Sequence, residues 1–213
     1  MRFFFYGKLI FRGMTQRNIV SAIGMATVCA IGLATTGLII FAANGSSVKH
    51  QVRQLLVARE CRGCNLSGAN LSAVFLEGVN LENANLKNAN LWSSNLVNAN
   101  LKQANLAGVY LISSNLVGAN LEESNLEKAF LEDAYLGGSN LKNANLTGAF
   151  MKGIFLVNAD LAGANLEGAN LWMANLEGAN LQGANLRNAL LLEANLEGAN
   201  LKGAIMPDGT KHE

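Results

Sequence analysis

The chain has 213 residues, of which half are hydrophobic, 15% are charged and 7% are aromatic, and its formal net charge is +1. That near-neutral total is uneven: residues 1–60 carry seven Lys/Arg and one acid (Glu60), while residues 61–213 carry nine Lys/Arg and fourteen Asp/Glu. A long carboxyl-terminal part with a net charge of −5 lacks the basic footprint of a nucleic-acid binder.

In chain order, residues 1–18 form a basic, aromatic segment with Arg2, Lys8, Arg12 and Arg17 around Phe3, Phe4, Phe5 and Tyr6. Residues 19–43 follow without a single charge. As a helix they would be roughly 37 Å long against a hydrocarbon core of about 30 Å, so a single membrane-spanning helix is expected, with the lipid bilayer as its partner. A cleaved secretory signal fits less well, because the apolar run exceeds a typical signal core and Phe41 is too large for the position three residues before a cleavage after Ala43. Basic residues balance across the span, four before it and Lys49, Arg53, Arg59 and Arg62 after it. The expected orientation places the amino terminus in the cytoplasm and exports the remainder to the periplasm or thylakoid lumen.

Residues 44–63 read as a linker and a short amphipathic helix. Val48, Val52, Leu55 and Leu56 recur at helical spacing, with Ser47 as the expected N-cap and Gly63 as the expected left-handed residue past the end. Such a helix is placed to cover the open first turn of whatever follows.

From residue 64 to residue 206 the chain has a period of five. Central positions run from residue 66 to residue 206, and twenty-seven of the twenty-nine are leucine, with Met151 and Met206 the others. Asparagine precedes the central residue in twenty cases, and a small residue, mostly alanine, precedes it by two. A period of five would carry the leucines around every face of a helix and flip them between the faces of a strand. A chain that bends once per five residues can point them all at one axis, which makes a solenoid. The only proline, Pro207, lies at the end of the repeat and begins the turn sequence Pro-Asp-Gly of a terminal segment, residues 207–213.

The unbroken A-N-L-x-x pattern resembles the pentapeptide-repeat family, and the ends LLVARECRGCNLSGANL and GAIMPDGT resemble those of exported members from photosynthetic bacteria. The resemblance implies an all-β solenoid, a right-handed quadrilateral β-helix of about seven coils, with the central leucine and the small residue two before it pointing inward. A twenty-residue coil can be checked independently, since positions twenty apart would then stack in outward columns. Tyr110, Phe130, Phe150 and Leu190, just before central leucines, share one column, and Phe75, Tyr135 and Phe155 share the next. Just after the central residue, Trp92, Ile112, Trp172 and Leu192 share the first column, and Val97, Val117 and Val157 the second. Fifteen residues per coil would scatter them, although duplication in twenty-residue units would also produce the bias.

The expected candidate interaction face is therefore Phe75, Trp92, Tyr110, Ile112, Phe130, Tyr135, Phe150, Phe155, Trp172 and Leu192, a large apolar surface suited to a protein partner. Its Glu132, Asp133 and Lys152 argue against deep burial in a bilayer. A purely architectural role, with aromatics stacking in columns and no partner, is the alternative.

Catalysis is not expected. The two histidines, His50 and His212, lie outside the repeats, a filled leucine core leaves no cleft, and the recurring glycines lack the strand-to-helix setting of a phosphate loop. No cofactor, metal or small-molecule substrate is expected. Cys61 and Cys64 are the one pair to weigh: a disulfide clipping the cap helix to the first coil, an inert reduced pair, or redox chemistry in an exported compartment. Some pentapeptide-repeat proteins imitate duplex DNA, a role that calls for a far more acidic rod than this one.

Overall fold

The computed structural model describes residues 46–213, so the expected basic segment 1–18 and the expected span 19–43 lie outside the described residues. Among the described residues no helix is long and apolar enough to cross a membrane.

The first element is a helix, α1, Ser46–Ala58. It starts one residue before the expected cap at Ser47. It also stops five residues short of Gly63, because Arg59 takes the left-handed conformation at φ 55° while its amide closes the last turn on the Leu55 carbonyl at 3.0 Å. Gly63 instead occupies the first corner of the solenoid, at φ 63°. Val52 and Leu55 of α1 are fully buried, and both join the same apolar core as the central leucines. Their burial follows from the solenoid's geometry, since a first coil exposes the ends of its leucine columns and needs an apolar cover.

The solenoid starts at Glu60, which bridges to Asn80 in parallel, and continues as bridges between residues twenty apart through Asn185↔Ile205. Four pentapeptides therefore make one coil, and the coil has four sides. Pairing begins four residues before residue 64 because a backbone ladder requires no particular side chain. Counting from Cys61 to Met206, thirty pentapeptides make seven and a half coils, roughly 36 Å tall at a sheet spacing near 4.8 Å.

Each pentapeptide repeats the same hydrogen bonds. The central amide pairs with the next coil, as in Leu81 N to Asn100 O at 2.7 Å. The amide two residues later does likewise, as in Asn83 N to Lys102 O at 2.9 Å, and the third following amide closes the corner, as in Ala84 N to Leu81 O at 3.0 Å. Every corner residue two after the centre, from Gly63 to Gly203, has positive φ, between 52° and 74°. Glycine fills many of these corners because it alone adopts that conformation without cost.

The core is a continuous stack of central leucines and small residues, buried almost completely from Leu66 through Leu186. Serines at inward positions satisfy their own hydroxyls: Ser94, Ser124 and Ser139 donate to the carbonyls of Leu91, Leu121 and Leu136 at 2.7, 2.7 and 2.8 Å, and Ser114 donates to Leu111. In the last coil Leu191, Leu196 and Leu201 are only half-buried. There Pro207–Gly209 turns the chain back, Asp208 accepting the Thr210 amide at 2.9 Å, so that Lys211 pairs antiparallel with Ile205.

Candidate functional site

The outward surface is organised by one bond. In every coil, the amide just after the central residue takes no part in the ladder. At all twenty positions where asparagine precedes the centre, its Oδ1 accepts that amide, at 3.0 to 3.2 Å. Asp160 does the same for Ala162 at 3.2 Å. The asparagine of the repeat is thus a bracket for an otherwise idle donor, the side chain reaching two residues along its own backbone.

Among the twenty-nine centres from Leu66 to Met206, eight positions forgo this bracket: Phe75, Tyr110, Phe130, Tyr135, Phe150, Phe155, Leu190 and Ile205. After Ile205 comes Pro207, which has no amide to satisfy. After the other seven, the amides of Glu77, Ile112, Glu132, Gly137, Lys152, Val157 and Leu192 have no acceptor among the described residues. A hydrogen bond is worth about 0.5–1.5 kcal/mol, so each aromatic substitution gives up that much unless something else compensates.

Part of the compensation is stacking. Tyr110 and Phe130 lie 4.7 Å apart at 1°, Phe130 and Phe150 4.9 Å apart at 7°, and Tyr135 and Phe155 4.9 Å apart at 6°. Stacking leaves the ladders half open to solvent, however: Tyr110 remains 43% exposed, Phe150 41% and Tyr135 47%. Seven of the ten face residues expected from sequence are exposed, while Ile112, Phe130 and Trp172 are half-buried. Phe75 stands apart from the others, bridged to Asn95 rather than to an aromatic.

Beside the ladder of Tyr110, Phe130 and Phe150 runs the column Trp92, Ile112, Glu132, Lys152, Trp172 and Leu192. Lys152 Nζ lies 4.2 Å above the Trp172 ring. Met173, next to Trp172 and 51% exposed, extends the apolar surface from a corner position, where the repeat pattern leaves no apolar signature.

The opposite character prevails where asparagines predominate. Asn100, Asn120 and Asn140 each donate to the asparagine one coil earlier, Asn80, Asn100 and Asn120, and Asn180 donates to Asp160 at 3.0 Å. Charges beside them pair along the same axis: Arg62 with Glu82 at 3.0 Å, Lys102 with Glu122 at 3.1 Å, and Lys142 with Asp160 at 3.0 Å. Hydrogen bonding to Glu122 raises the Lys102 ammonium above its ordinary range. Burial pushes Asp160 up, but hydrogen bonds from Lys142, Ala162 and Asn180 outweigh it and hold the carboxyl below its usual value. These polar columns satisfy themselves.

Cys61 and Cys64 are joined as a disulfide with Cα atoms 5.3 Å apart. Both cysteines belong to the first corner of the first coil, at the inward positions that leucine and alanine fill elsewhere. The bond therefore staples that corner and not α1 to the coil; α1 meets it through the Gln51 carbonyl, 3.6 Å from the Cys61 sulfur. Cys61 is 1% exposed and Cys64 9%, a setting that shields the sulfurs from an attacking thiolate. Among the described residues no group of three His, Cys, Asp or Glu side chains is placed to hold a metal ion.

Comparison with known proteins agrees with this architecture. The family model for pentapeptide repeats matches residues 64–103, 104–143, 139–171 and 174–206. Among solved structures, the chain is similar to HetL, a pentapeptide repeat protein involved in heterocyst differentiation regulation in the cyanobacterium Nostoc sp. strain PCC 7120, at 35% identity over 72% of this chain and 78% of that one, with a TM-score of 0.53. It is also similar to a pentapeptide repeat protein of the Arabidopsis thaliana thylakoid lumen, at 30% identity over 50% of this chain and 71% of that one, with a TM-score of 0.36. No curated protein sequence matches the chain. By its repeats and by its coil, the chain belongs to the pentapeptide-repeat family.

Proposed function

We propose that this protein is a non-enzymatic, membrane-anchored scaffold that binds another protein through the aromatic side of its solenoid. The observation that carries the reading is the clustered loss of the asparagine bracket. Six of the eight positions that forgo it carry aromatics, they gather in two neighbouring columns, and they leave unaccepted amides beside exposed rings. A surface shaped only for stability would keep the bond. A partner with apolar side chains and hydrogen-bond acceptors uses both features at once.

Residues 19–43 serve in this reading as a retained anchor that holds the repeats on the periplasmic or thylakoid-lumenal side. Extraction of membranes with alkaline carbonate tests it: a retained anchor stays in the pellet, and a cleaved chain is released. The docking face is tested by photo-crosslinking in the native membrane from a probe at position 172, with a control probe at 182 on a polar column. A discrete adduct from 172 alone supports docking. Equal behaviour of the two probes overturns it.

The near-coplanar stacking of Tyr110, Phe130 and Phe150 favours a second reading, in which the aromatics are architectural and bind nothing. Replacing Trp92 and Trp172 together by serine separates the two, because an architectural protein would behave unchanged.

A further inference from the structure

We infer that the partner on this face is a second copy of the chain, lying antiparallel across a two-fold axis that passes between the coil of Leu131 and the coil of Met151. The inference rests on the docking reading and names its occupant. In an isologous interface each column must fit its own reversed order. The column reads Trp92, Ile112, Glu132, Lys152, Trp172, Leu192. Reversed about its midpoint, it sets Glu132 opposite the partner's Lys152, Ile112 opposite the partner's Trp172, and Trp92 opposite the partner's Leu192. Both charges are neutralised and every apolar residue meets an apolar residue. In the adjacent ladder the same axis sets Phe130 opposite the partner's Phe150, Tyr110 opposite the partner's Asn170 and Leu190 opposite the partner's Asn90.

The charges on this face are free for the purpose. Elsewhere on the solenoid Arg62 pairs with Glu82 and Lys102 with Glu122, one coil apart, while Glu167 and Arg187 at the same spacing do not. Glu132 and Lys152 are also one coil apart, yet among the described residues they form no ion pair; Lys152 lies over Trp172 instead. Glu132 Oε2 and Trp172 Nε1 are buried without a hydrogen-bond partner among the described residues. A buried carboxylate oxygen with no donor carries an unreturned desolvation cost, so Glu132 gains by turning its carboxylate outward to a cation across the interface. A parallel arrangement, with the two-fold along the solenoid axis, would exchange the two columns and set Glu132 against Phe130. Charge therefore selects the antiparallel pairing.

The test uses the full chain in detergent and follows its mass by sedimentation equilibrium. The wild type is expected to dimerise. Glu132→Lys and Lys152→Glu are each expected to weaken association at least tenfold, because each sets like charges face to face. The double exchange E132K/K152E is expected to restore association to within about threefold, since it reverses every contact while leaving the composition unchanged. Circular dichroism controls for folding. The register is tested by mixing a chain carrying Ile112→Cys with a differently tagged chain carrying Trp172→Cys, which should form a mixed disulfide, whereas Ile112→Cys mixed with Leu192→Cys should not. Within one chain positions 112 and 172 are three coils, about 14 Å, apart, too far to bond to each other. A monomer at all concentrations, or a double exchange no better than the singles, overturns the inference. In that case the adduct from position 172 separates the two failures: an adduct with a different protein keeps the docking face and removes the second copy, and no adduct removes both.

Discussion

Asn88 and Gly108 occupy the same corner of successive coils, and a Cβ built on Gly108 would lie 2.5 Å from the Asn88 Oδ1. Gly118, Gly153, Gly163 and Gly178 stand in the same relation to Asn98, Asp133, Asn143 and Asn158. A long corner side chain thus reaches over the corner of the next coil, and glycine there leaves it room.

Gly108→Ala should therefore destabilise the solenoid chiefly through its φ of 64°, by about 1–2 kcal/mol in equilibrium urea unfolding, with a smaller cost for displacing the Asn88 amide. Asn88→Gly in the same chain should recover that smaller cost, a coupling that a double-mutant cycle reads directly. Ala73→Gly, at a corner with φ 55°, should instead stabilise by roughly 1 kcal/mol.

The asparagine bracket makes opposite predictions on the two kinds of face. Asn120→Ala removes the acceptor of the Glu122 amide and two side-chain bonds of the ladder, to Asn100 and Asn140, and should cost about 1–2 kcal/mol. Phe130→Asn restores a bracket for the Glu132 amide as it removes two stacking contacts, so its stability should stay within about 1 kcal/mol of wild type. Thermal unfolding checks both, and the second variant should nevertheless abolish the adduct from position 172.

Asp160 makes the polar face acid-sensitive. Its carboxyl is held below the ordinary value of 3.8, so its contribution is complete above that value and is lost as pH falls through the lower, folded one. Asp160→Asn keeps an Oδ1 for the Ala162 amide and for Asn180, and gives up only the pair with Lys142. Stability at pH 7 should change by less than about 1 kcal/mol, and the slope of stability against pH below 4 should flatten.

The corner staple should matter modestly. Cys61 and Cys64 close a loop of four residues, for which the chain-entropy model gives about 2 kcal/mol. Replacing both by alanine should lower stability by that order, with the effect confined to the first coil as seen by hydrogen exchange of Leu66 and Ala69 amides.

Much of this was legible in the sequence. The period of five and the grouping of Tyr110, Phe130 and Phe150 at twenty-residue spacing pointed to a four-sided coil, and the bridges between those residues have that register. Inward leucines were legible because burial imposes one residue type at every turn. The start at Glu60 was not, since main-chain pairing leaves no side-chain mark, and the end of α1 at Arg59 was hidden because a left-handed residue need not be glycine. For the same reason the disulfide was expected to reach α1 when it closes a corner. Glu132 and Lys152 were legible as charges on an apolar face; that they ignore each other depends on side-chain geometry, which no pattern records.

The most direct test of the account is hydroxyl-radical footprinting of Trp92, Tyr110, Phe150 and Trp172, comparing the native membrane with the dilute, detergent-solubilised chain. These side chains should be protected in the membrane and become reactive on dilution, while residues of the polar columns react equally in both. Equal reactivity of the aromatic column in the two states would contradict it.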